Sequence, residues 1–596
     1  MSEINIFVSG KGVVPGISIG RAYVVQPRLV SNIQRNISEG EIPIEIQRFN
    51  IAIDKSYEQL EALKQKIGDE YRDPGHILEA HQMMLKDEEL RKDVIQFISD
   101  RLINVEWAIN LVMEKWEKIF LRVENEYFNE RLSDLRFVTY RILRNISGLE
   151  CFSHDPPPDA IVIAPELSPV ETIQFCKNAV TAIVTEKGGA TSHTVIIAKS
   201  FEIPTVIAAR GILDLIKNGD LILVNGNTGE VIINPDVNHV REYRRRMIKI
   251  LAMEQNLINE SHTAAVTMDG VELTVYANVD FAEEIEKAIT HGAEGIGLYR
   301  TEFLFLSNIN EAMNEELHFR DTLNLMEKWK GGPITIRTFD LGGDKFPTEG
   351  GVLNEPNPAL GLRSIRLALK NRKLFKAQIR GILRAHSSMP EVKLKIMFPL
   401  ISSWDELNEA KDVYYECMEE LTQEGHELSE NISIGTMIEL PSACMISDIL
   451  AREVDFFSIG SNDLIQYSLA VDRANENISY LYRPLHPGVL RMLKFTIDSA
   501  LNAGIEVSIC GDMATMPIGA LILMGFGLRT FSVPPSFIPH LKKMFRQVSA
   551  AEIKDLSEQA LNMASHHDIS EFFRNKLGSR LQEEIWPEEG EQDSVK

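Results

Sequence analysis

The chain has 596 residues, of which 62 are Lys or Arg and 86 are Asp or Glu, so its formal net charge is −24. An acidic excess of this size excludes a protein that coats nucleic acid, because such a protein needs a basic excess to neutralise phosphates. Five cysteines without a C-x-x-C spacing argue against a disulfide scaffold or a structural zinc site. With no signal-peptide pattern and no long apolar run, we expect a cytoplasmic protein without membrane insertion.

Residues 1–38 predict short β-strands separated by turn glycines, without the spacing of a phosphate-binding Walker A loop. Across 39–148 the apolar residues recur at intervals of three and four, which predicts an all-α insertion of about four helices. In 149–233 the runs AIVIAPEL, AIVTEKGG and LILVNGN predict buried strands separated by short helices. We therefore expect 1–38 and 149–233 to form one α/β domain that the helical insertion interrupts.

Residues 234–264 predict a single charged linker helix. Residues 265–575 contain eight apolar runs of strand length, each followed by a segment of helical composition, which predicts a C-terminal (β/α)8 TIM-type barrel. Polar residues cluster at the ends of these runs, on the rim where barrels of this type hold their active sites. The final residues, 576–596, are rich in acid and predict a solvated tail.

One histidine follows a predicted strand in the segment GGATSHT, which opens a helix. His193 would lie in the first helical turn, where backbone N–H groups favour an anion. A neutral imidazole is a nucleophile and could carry a phosphoryl group there. The alternative is a turn histidine whose ring is held by hydrogen bonds, and the residues alone leave both open.

Several cationic residues lie near predicted strand ends or loops of the barrel. They are Arg300, Arg337, Arg363, Arg473 and Lys345. Any one of them alone is explained as a surface residue. Their convergence on one rim of an acidic protein indicates a ligand that bears phosphate and carboxylate groups.

Two carboxylates, Glu439 and Asp463, follow adjacent apolar runs with no histidine nearby. This donor set suits Mg²⁺, which prefers oxygen ligands and keeps several waters. A capping or salt-bridge role is the alternative for each carboxylate. Cys510 ends another predicted strand, where it is either a buried packing residue or a proton donor on the rim.

Eight segments follow one another in the order found in enzyme I of the bacterial sugar phosphotransferase system, a family of phosphoenolpyruvate–protein phosphotransferases. They are GGATSHT, GAEGIGLYRTEFLF, TFDLGGDK, NPALGLRSIR, IMFPLI, IELPSA, VDFFSIGSNDLIQYSLAVDR and ICGDMA. The chain resembles this family from about residue 8 to 575. The segment ILEAHQMMLKDEEL resembles the part of the family that docks the phosphocarrier protein HPr.

The resemblance implies autophosphorylation from phosphoenolpyruvate on His193, release of pyruvate, and transfer of the phosphoryl group to HPr. It implies a homodimer formed through the barrel, and a domain movement about the linker helix that carries His193 to and from the rim. The roles it implies are substrate binding by Arg300, Arg337, Asn462 and Arg473, Mg²⁺ binding by Glu439 and Asp463, and protonation of enolpyruvate by Cys510. We add Arg363 and Lys345 to the substrate-binding set because of their predicted place on the rim.

The chain departs from the family pattern at three positions. Ala190 stands where a basic residue is common, and Ser461 and Asp512 replace a threonine and a glutamate with small chemical change. Two rival interpretations remain. A phosphoenolpyruvate synthase or pyruvate phosphate dikinase would need a large ATP-binding domain, for which we expect no room, and a non-enzymatic regulatory module would not need the full set of chemical groups.

Overall fold

The computed structural model describes most of the chain in two compact units, Met1–Leu251 and Ala252–Lys596. The described residues are 5–25, 34–67, 78, 81–120, 126–148, 156–178, 180–188, 193–201, 203–302, 312–342, 347–348, 351–352, 357–429, 432–473, 475, 478–578 and 580–581. The predicted acidic tail therefore lies outside the described residues from 582 onward.

The first unit contains a mixed sheet of eight strands. They are β1 (Ile6–Ser9), β2 (Lys11–Val14), β3 (Ile17–Val24), β4 (Ala160–Ala164), β5 (Ala182–Thr185), β6 (Thr205–Ile207), β7 (Leu221–Asn225) and β8 (Glu230–Ile233). Their order is β1-β8-β7-β3-β4-β5-β6-β2, with parallel pairing from β3 to β6 and antiparallel pairing elsewhere. Strands from both ends of the predicted α/β domain thus share one sheet.

Long helices separate β3 from β4, as the three- and four-residue spacing of apolar side chains predicts. The helices of the first unit are Glu39–Glu41 (3-10), Ile42–Ile67, Glu88–Arg101, Val105–Phe120, Glu126–Ile146, Pro169–Lys177, His193–Ser200 and Ile212–Leu215. The helix Val237–Glu260 follows β8 and occupies the predicted linker.

The second unit is a closed barrel, which confirms the predicted fold class. Its strands are β9 (Ala265–Val266), β10 (Glu272–Val279), β11 (Ile296–Arg300), β12 (Ile334–Arg337), β13 (Pro347–Thr348), β14 (Gly351–Val352), β15 (Leu394–Phe398), β16 (Ser433–Ile438), β17 (Phe456–Ile459), β18 (Glu506–Ile509) and β19 (Thr530–Val533). Eight of them form the parallel barrel, because β10 pairs with both β11 and β19. These eight are the predicted strands.

Helices follow the barrel strands and pack against them. They are Ala282–Glu284 (3-10), Ile285–Thr290, Glu315–Lys328, Pro358–Leu360 (3-10), Ser364–Lys370, Arg372–Ser388, Trp404–Gln423, Pro441–Met445, Ser447–Leu450, Ser461–Leu469, Ser479–Leu481 (3-10), Pro487–Ala503, Asp512–Ala514 (3-10), Pro517–Gly525, Pro535–Phe537 (3-10), Ile538–Arg546, Ala550–Ala560 and His566–Leu577. In the described part of the chain, no helix combines the length and apolar character that crossing a membrane requires.

A closely packed loop precedes β11, at the amino-terminal ends of the barrel strands. The Nζ atom of Lys542, a buried lysine, donates to the carbonyl oxygen of Gly292 at 2.8 Å and lies 2.7 Å from Glu294 Oε1. Gly292 has a φ of +77°, and a Cβ atom there would lie 2.4 Å from the carbonyl oxygen of Ser261. Both the backbone conformation and the close approach require glycine.

We expect Gly292→Ala to lower the free energy of unfolding by roughly 2–5 kcal/mol, the sum of left-handed strain and overpacking. Gly504→Ala is the matched control, because Gly504 has a φ of +73° and a Cβ atom there would meet nothing within 4 Å. It should cost only about 1–2 kcal/mol. Urea denaturation of the full chain measures both, and equal costs would contradict the steric account.

Candidate functional site

A cavity of about 280 Å³ lies at the carboxyl ends of the barrel strands. Its lining residues are Leu298, Arg300, Glu302, Arg337, Asp340, Leu341, Arg363, Met437, Glu439, Gly460, Asn462, Asp463, Arg473, Cys510 and Gly511. Eight of the ten site residues predicted from the sequence are among them. The other two are His193, which belongs to the first unit, and Lys345, which lies outside the described residues.

The parallel strands bring these side chains together. Arg300 and Arg337 are the last residues of β11 and β12 and are paired in register. Glu439 follows β16 directly, and Asp463 lies in the first turn of the helix after β17. Cys510 follows β18. Because all eight strands run in one direction, residues at their ends share one rim.

A chain of buried ion pairs crosses the cavity. Arg337 Nη2 donates to Glu302 Oε1 at 2.9 Å, and Arg337 Nη1 lies 3.2 Å from Asp340 Oδ2. The other oxygen of Asp340 accepts from Arg363 Nη2 at 2.8 Å, and Arg363 Nη1 lies 3.3 Å from Asp463 Oδ2. Three carboxylates therefore fix the positions of two guanidiniums.

The electrostatics of this chain follow from burial and proximity. Burial alone would lower the pKa of Arg337, but the carboxylates of Glu302 and Asp340 raise it above its ordinary value. Burial alone would raise the pKa of Asp340, but the guanidiniums of Arg337 and Arg363 lower it below its ordinary value. Both partners are thus charged at neutral pH.

Two further arginines line the cavity in more exposed settings. Arg300 pairs with Asp280 at 3.2 Å, and each side chain is about one third exposed. Arg473 is exposed, and its backbone N–H donates to Gln466 Oε1 at 3.2 Å. These two guanidiniums are accessible to a ligand that enters the cavity from solvent.

Four residues of the site were not predicted as functional: Glu302, Asp340, Asp280 and Tyr467. Glu302 and Asp340 lie two and three residues after the predicted arginines Arg300 and Arg337. This closeness in sequence could have indicated that they belong to the same site. The hydroxyl of Tyr467 accepts from Arg363 Nη1 at 3.0 Å and donates to the carbonyl oxygen of Ala359 at 2.6 Å. It therefore ties Arg363 to the helix that carries Asp463.

The surroundings of Glu439 fit a divalent cation. Burial raises the pKa of Glu439 to about 8, and the nearby carboxylates of Asp340 and Asp463 contribute to this rise against the opposing effect of Arg337. Its Oε1 accepts from the backbone N–H of Leu400 at 2.7 Å, and a Cβ atom on Gly460 would lie 2.8 Å from its Oε2. A cation beside Oε2 would neutralise this excess of negative charge, and glycine leaves the space open.

No group of three or more His, Cys, Asp or Glu side chains in the described part of the chain is arranged to hold a metal ion alone. The carboxylates near this place are those of Glu439, Asp463 and Asp340, and Asp340 is already shared by two guanidiniums. Glu439 and Asp463 are the two left to hold a cation, with water and ligand oxygens to complete the set. Mg²⁺ is characteristically bound in this way, through one or two carboxylates and several waters.

The thiol of Cys510 is buried at the edge of the cavity. Ser458 Oγ donates to its Sγ at 3.4 Å, and the thiol donates to the carbonyl oxygen of Ile459 at 3.6 Å. Burial raises the pKa of this thiol above its ordinary value, so it is protonated at neutral pH. A neutral thiol therefore lies close to the charged guanidinium of Arg337.

His193 is the first residue of the helix His193–Ser200, in agreement with its predicted place in a first helical turn. The preceding turn contains Gly188, whose φ is +119°. Ala190, where the family commonly has a basic residue, lies outside the described residues.

Three family models match the chain. They describe the N-terminal part of PEP-utilising enzymes (residues 9–131), their mobile domain (156–229) and their PEP-binding domain (254–550). A phosphoenolpyruvate-protein phosphotransferase from Bacillus sp. (strain S) is 35% identical over 95% of this chain and 97% of its own length. This chain belongs to the phosphoenolpyruvate-protein phosphotransferase family.

Its phosphoenolpyruvate-protein phosphotransferase relatives include one from Haemophilus influenzae, 35% identical over 96% of this chain and 99% of its own length. An NMR solution structure of Enzyme I (nEIt) is 34% identical over 41% of this chain and 99% of its own, with a TM-score of 0.37. As a member of this family the chain is a phosphotransferase, and the family implies dependence on a divalent metal ion.

We expect Asp340→Asn to destabilise the barrel by about 3–5 kcal/mol at neutral pH, because two buried guanidiniums lose a shared partner. The folded-state pKa of Asp340 is lowered, so its contribution is present above the ordinary carboxylate pKa and is lost as the pH falls. Urea denaturation at a series of pH values measures this difference.

Asp280→Asn is the matched control, since it removes the partner of the more exposed Arg300 and should cost less than about 1 kcal/mol. Equal losses in the two variants, or a loss in Asp340→Asn that persists at low pH, would contradict the assignment of the buried pairs.

Proposed function

We propose that this protein takes the phosphoryl group of phosphoenolpyruvate onto His193, releases pyruvate, and passes the phosphoryl group to a histidine of the phosphocarrier protein HPr. This is the first step of the bacterial sugar phosphotransferase system. The observation that carries the proposal is that four arginines, two carboxylates suited to a metal ion and a neutral thiol line one cavity at one rim.

In this proposal the arginines bind the charged groups of phosphoenolpyruvate. Arg300 and Arg337 contact phosphoenolpyruvate directly, and Asn462 and Arg473 complete the pocket. Guanidinium groups suit both charged groups of the ligand, since their planar fork matches phosphate and carboxylate oxygens. Arg363 is the fifth member of this set, and Lys345 remains a prediction outside the described residues.

We assign the divalent ion as Mg²⁺ and its protein ligands as Glu439 and Asp463. When bound, the ion neutralises charge on the phosphoryl oxygens and on the developing enolate. Of this chain's own residues, Arg337 supplies a fixed positive charge beside that position, because Glu302 and Asp340 hold its guanidinium in place.

The nitrogen of the neutral His193 ring forms a bond to phosphorus, and the bond between phosphorus and the enol oxygen breaks. The phosphorylated ring releases its N–H proton to solvent, and the remaining enolate gains a proton at C3 to become pyruvate. Cys510 is the proposed donor, and its thiolate regains a proton from solvent. Its buried thiol holds a proton at neutral pH, whereas the arginine-paired carboxylate Asp340 does not.

Two further proposals concern surfaces that bind other protein chains. We propose that the helical region 39–148 docks HPr and that the chain forms a homodimer through the barrel. Exposed apolar side chains support the homodimer: Met445 and Ile449 are 62% and 43% exposed on short helices that pack on Pro487–Ala503, and that helix exposes Leu501.

We place the protein in the cytoplasm, where its substrate is made.

A regulatory module that kept the fold without the chemistry is the rival function. The buried ion pairs of Arg337 and the protonated thiol of Cys510 favour the enzyme, because buried ion pairs contribute little or nothing to stability compared with apolar packing, and a module without chemistry would gain nothing from them. A module of this kind would take no label from phosphoenolpyruvate.

The proposed reaction has two halves: phosphorylation of His193 by phosphoenolpyruvate, and transfer of the phosphoryl group between His193 and HPr. Measuring them separately distinguishes the role of the barrel from that of the first unit. In Asp463→Asn and Glu439→Gln we expect phosphorylation of His193 from labelled phosphoenolpyruvate to fall at least about 100-fold, the loss typical of removing electrostatic stabilisation of a transition state. Labelling of His193 from phosphorylated HPr should be retained, because the metal ion serves only the barrel.

Asp412→Asn is the control, since it neutralises a carboxylate on the helix Trp404–Gln423, away from the residues that line the cavity. It should behave as the unaltered protein in both half-reactions. Variants at Asp463 and Glu439 that lose both half-reactions equally would mean that these carboxylates maintain the fold.

A further inference from the structure

The wall of the cavity is of two chemical kinds. Most of its lining is charged or polar, and the purely hydrocarbon or thioether side chains are Leu298, Leu341 and Met437. Leu298 and Met437 are each 1% exposed, and they share one buried cluster with Met397, Phe456 and Cys510. Leu341 belongs to a different cluster. The apolar part of the wall is therefore next to the thiol.

The periodicity of the strands explains this arrangement. Leu298 lies two residues before Arg300 on β11, and Met437 lies two residues before Glu439, which follows β16. Alternate residues of a strand point to the same face. Leu298 and Met437 therefore form an apolar floor one layer below the charged rim.

The side chain of Met437 is held at its tip. Its Sδ lies 3.9 Å from Arg337 Nη1, and a Cβ atom on Gly460 would lie 3.0 Å from the same sulfur. Met437 thus fills the space between a rim arginine and the neighbouring strand. Its length sets how far the cavity extends below the rim on this side.

The following step rests on the proposed function. Phosphoenolpyruvate has two charged groups and one apolar part, the methylene carbon C3. Its phosphate and carboxylate are bound by guanidiniums on the rim. C3 is best placed against an apolar surface, because an apolar group next to a charge would displace the water that solvates that charge. The floor of Leu298 and Met437 is the apolar part of the lining that adjoins Cys510, the proposed donor to C3.

We propose that Met437, supported by Leu298, determines which substituents at C3 the enzyme accepts. With methionine at this position the floor fits a methylene group, and a larger C3 substituent meets the thioether. Shortening residue 437 opens space directly below C3 and leaves the charged rim in place. The site then takes C3-substituted enol phosphates as donors.

The probe is the enol phosphate of 2-oxobutyrate, which carries one additional methyl group on C3, used as each of its two geometric isomers. The quantity measured is kcat/KM for phosphoryl transfer from this probe divided by kcat/KM for transfer from phosphoenolpyruvate. We expect Met437→Ala to raise this ratio for at least one isomer by about 10-fold or more, since one methylene in an apolar pocket is worth about 10–200-fold.

Met437→Val serves as a second variant, because a β-branched side chain suits a strand and leaves a smaller gap. It should raise the ratio in the same direction by a smaller factor. Met397→Ala is the matched control. Met397 belongs to the same buried cluster but does not line the cavity, so its loss should leave the ratio unchanged.

A ratio that stays unchanged in both Met437 variants would overturn the assignment, and so would an equal rise in Met397→Ala. Either result would leave the proposed function intact, because phosphoenolpyruvate would still label the unaltered protein. Failure of phosphoenolpyruvate to label the unaltered protein would overturn the proposed function and this inference with it.

Discussion

The site depends on the parallel closure of the barrel. Because β10 pairs with both β11 and β19, all eight strands end on the same rim. Residues that are far apart in the chain therefore touch: the side-chain amide of Asn278 donates to the carbonyl oxygen of Cys510 at 3.0 Å, across 232 positions. No local segment supplies more than three of the groups that the chemistry needs, and the richest one carries Asn462, Asp463 and Arg473. Loss of closure would therefore disperse the site even if each strand survived.

Burial imposes the second constraint. Charges removed from water are tolerated only when they are paired, and the rim satisfies this rule with alternating guanidiniums and carboxylates. Asp340 serves both Arg337 and Arg363, while Asp463 has Arg363 on one side only. Glu439 has a raised pKa and no guanidinium partner within ion-pair distance among those described. The chain thus holds its arginines in place before a ligand arrives. It leaves the carboxyl group of Glu439 without a positively charged partner, and this is the place where we assign the metal ion.

The sequence predicted the barrel well because each of its strands is an apolar run that ends in a polar residue. Strands β6 and β8 of the first unit were missed, since β6 has only three residues and β8 follows the turn after β7 too closely to form a separate pattern. The rim arginines could be predicted from their chemistry, but their partners could not. Glu302 lies two residues after Arg300 and yet pairs with Arg337, a contact that depends on the register of neighbouring strands. Met437 could not be singled out from the sequence, because apolar side chains on a strand are indistinguishable until the cavity is seen.

The central claim is that the barrel rim cleaves phosphoenolpyruvate and that His193 receives the phosphoryl group. The most direct test incubates the purified chain with Mg²⁺ and phosphoenolpyruvate in the absence of any carrier, measures pyruvate, and locates the phosphoryl group by mass spectrometry under alkaline conditions that preserve phosphohistidine. The account predicts pyruvate in an amount equal to the phosphorylated chain, with the phosphoryl group on the peptide that contains His193 and none in His193→Ala. Phosphorylation at another residue, or uptake of the phosphoryl group without release of pyruvate, would contradict it.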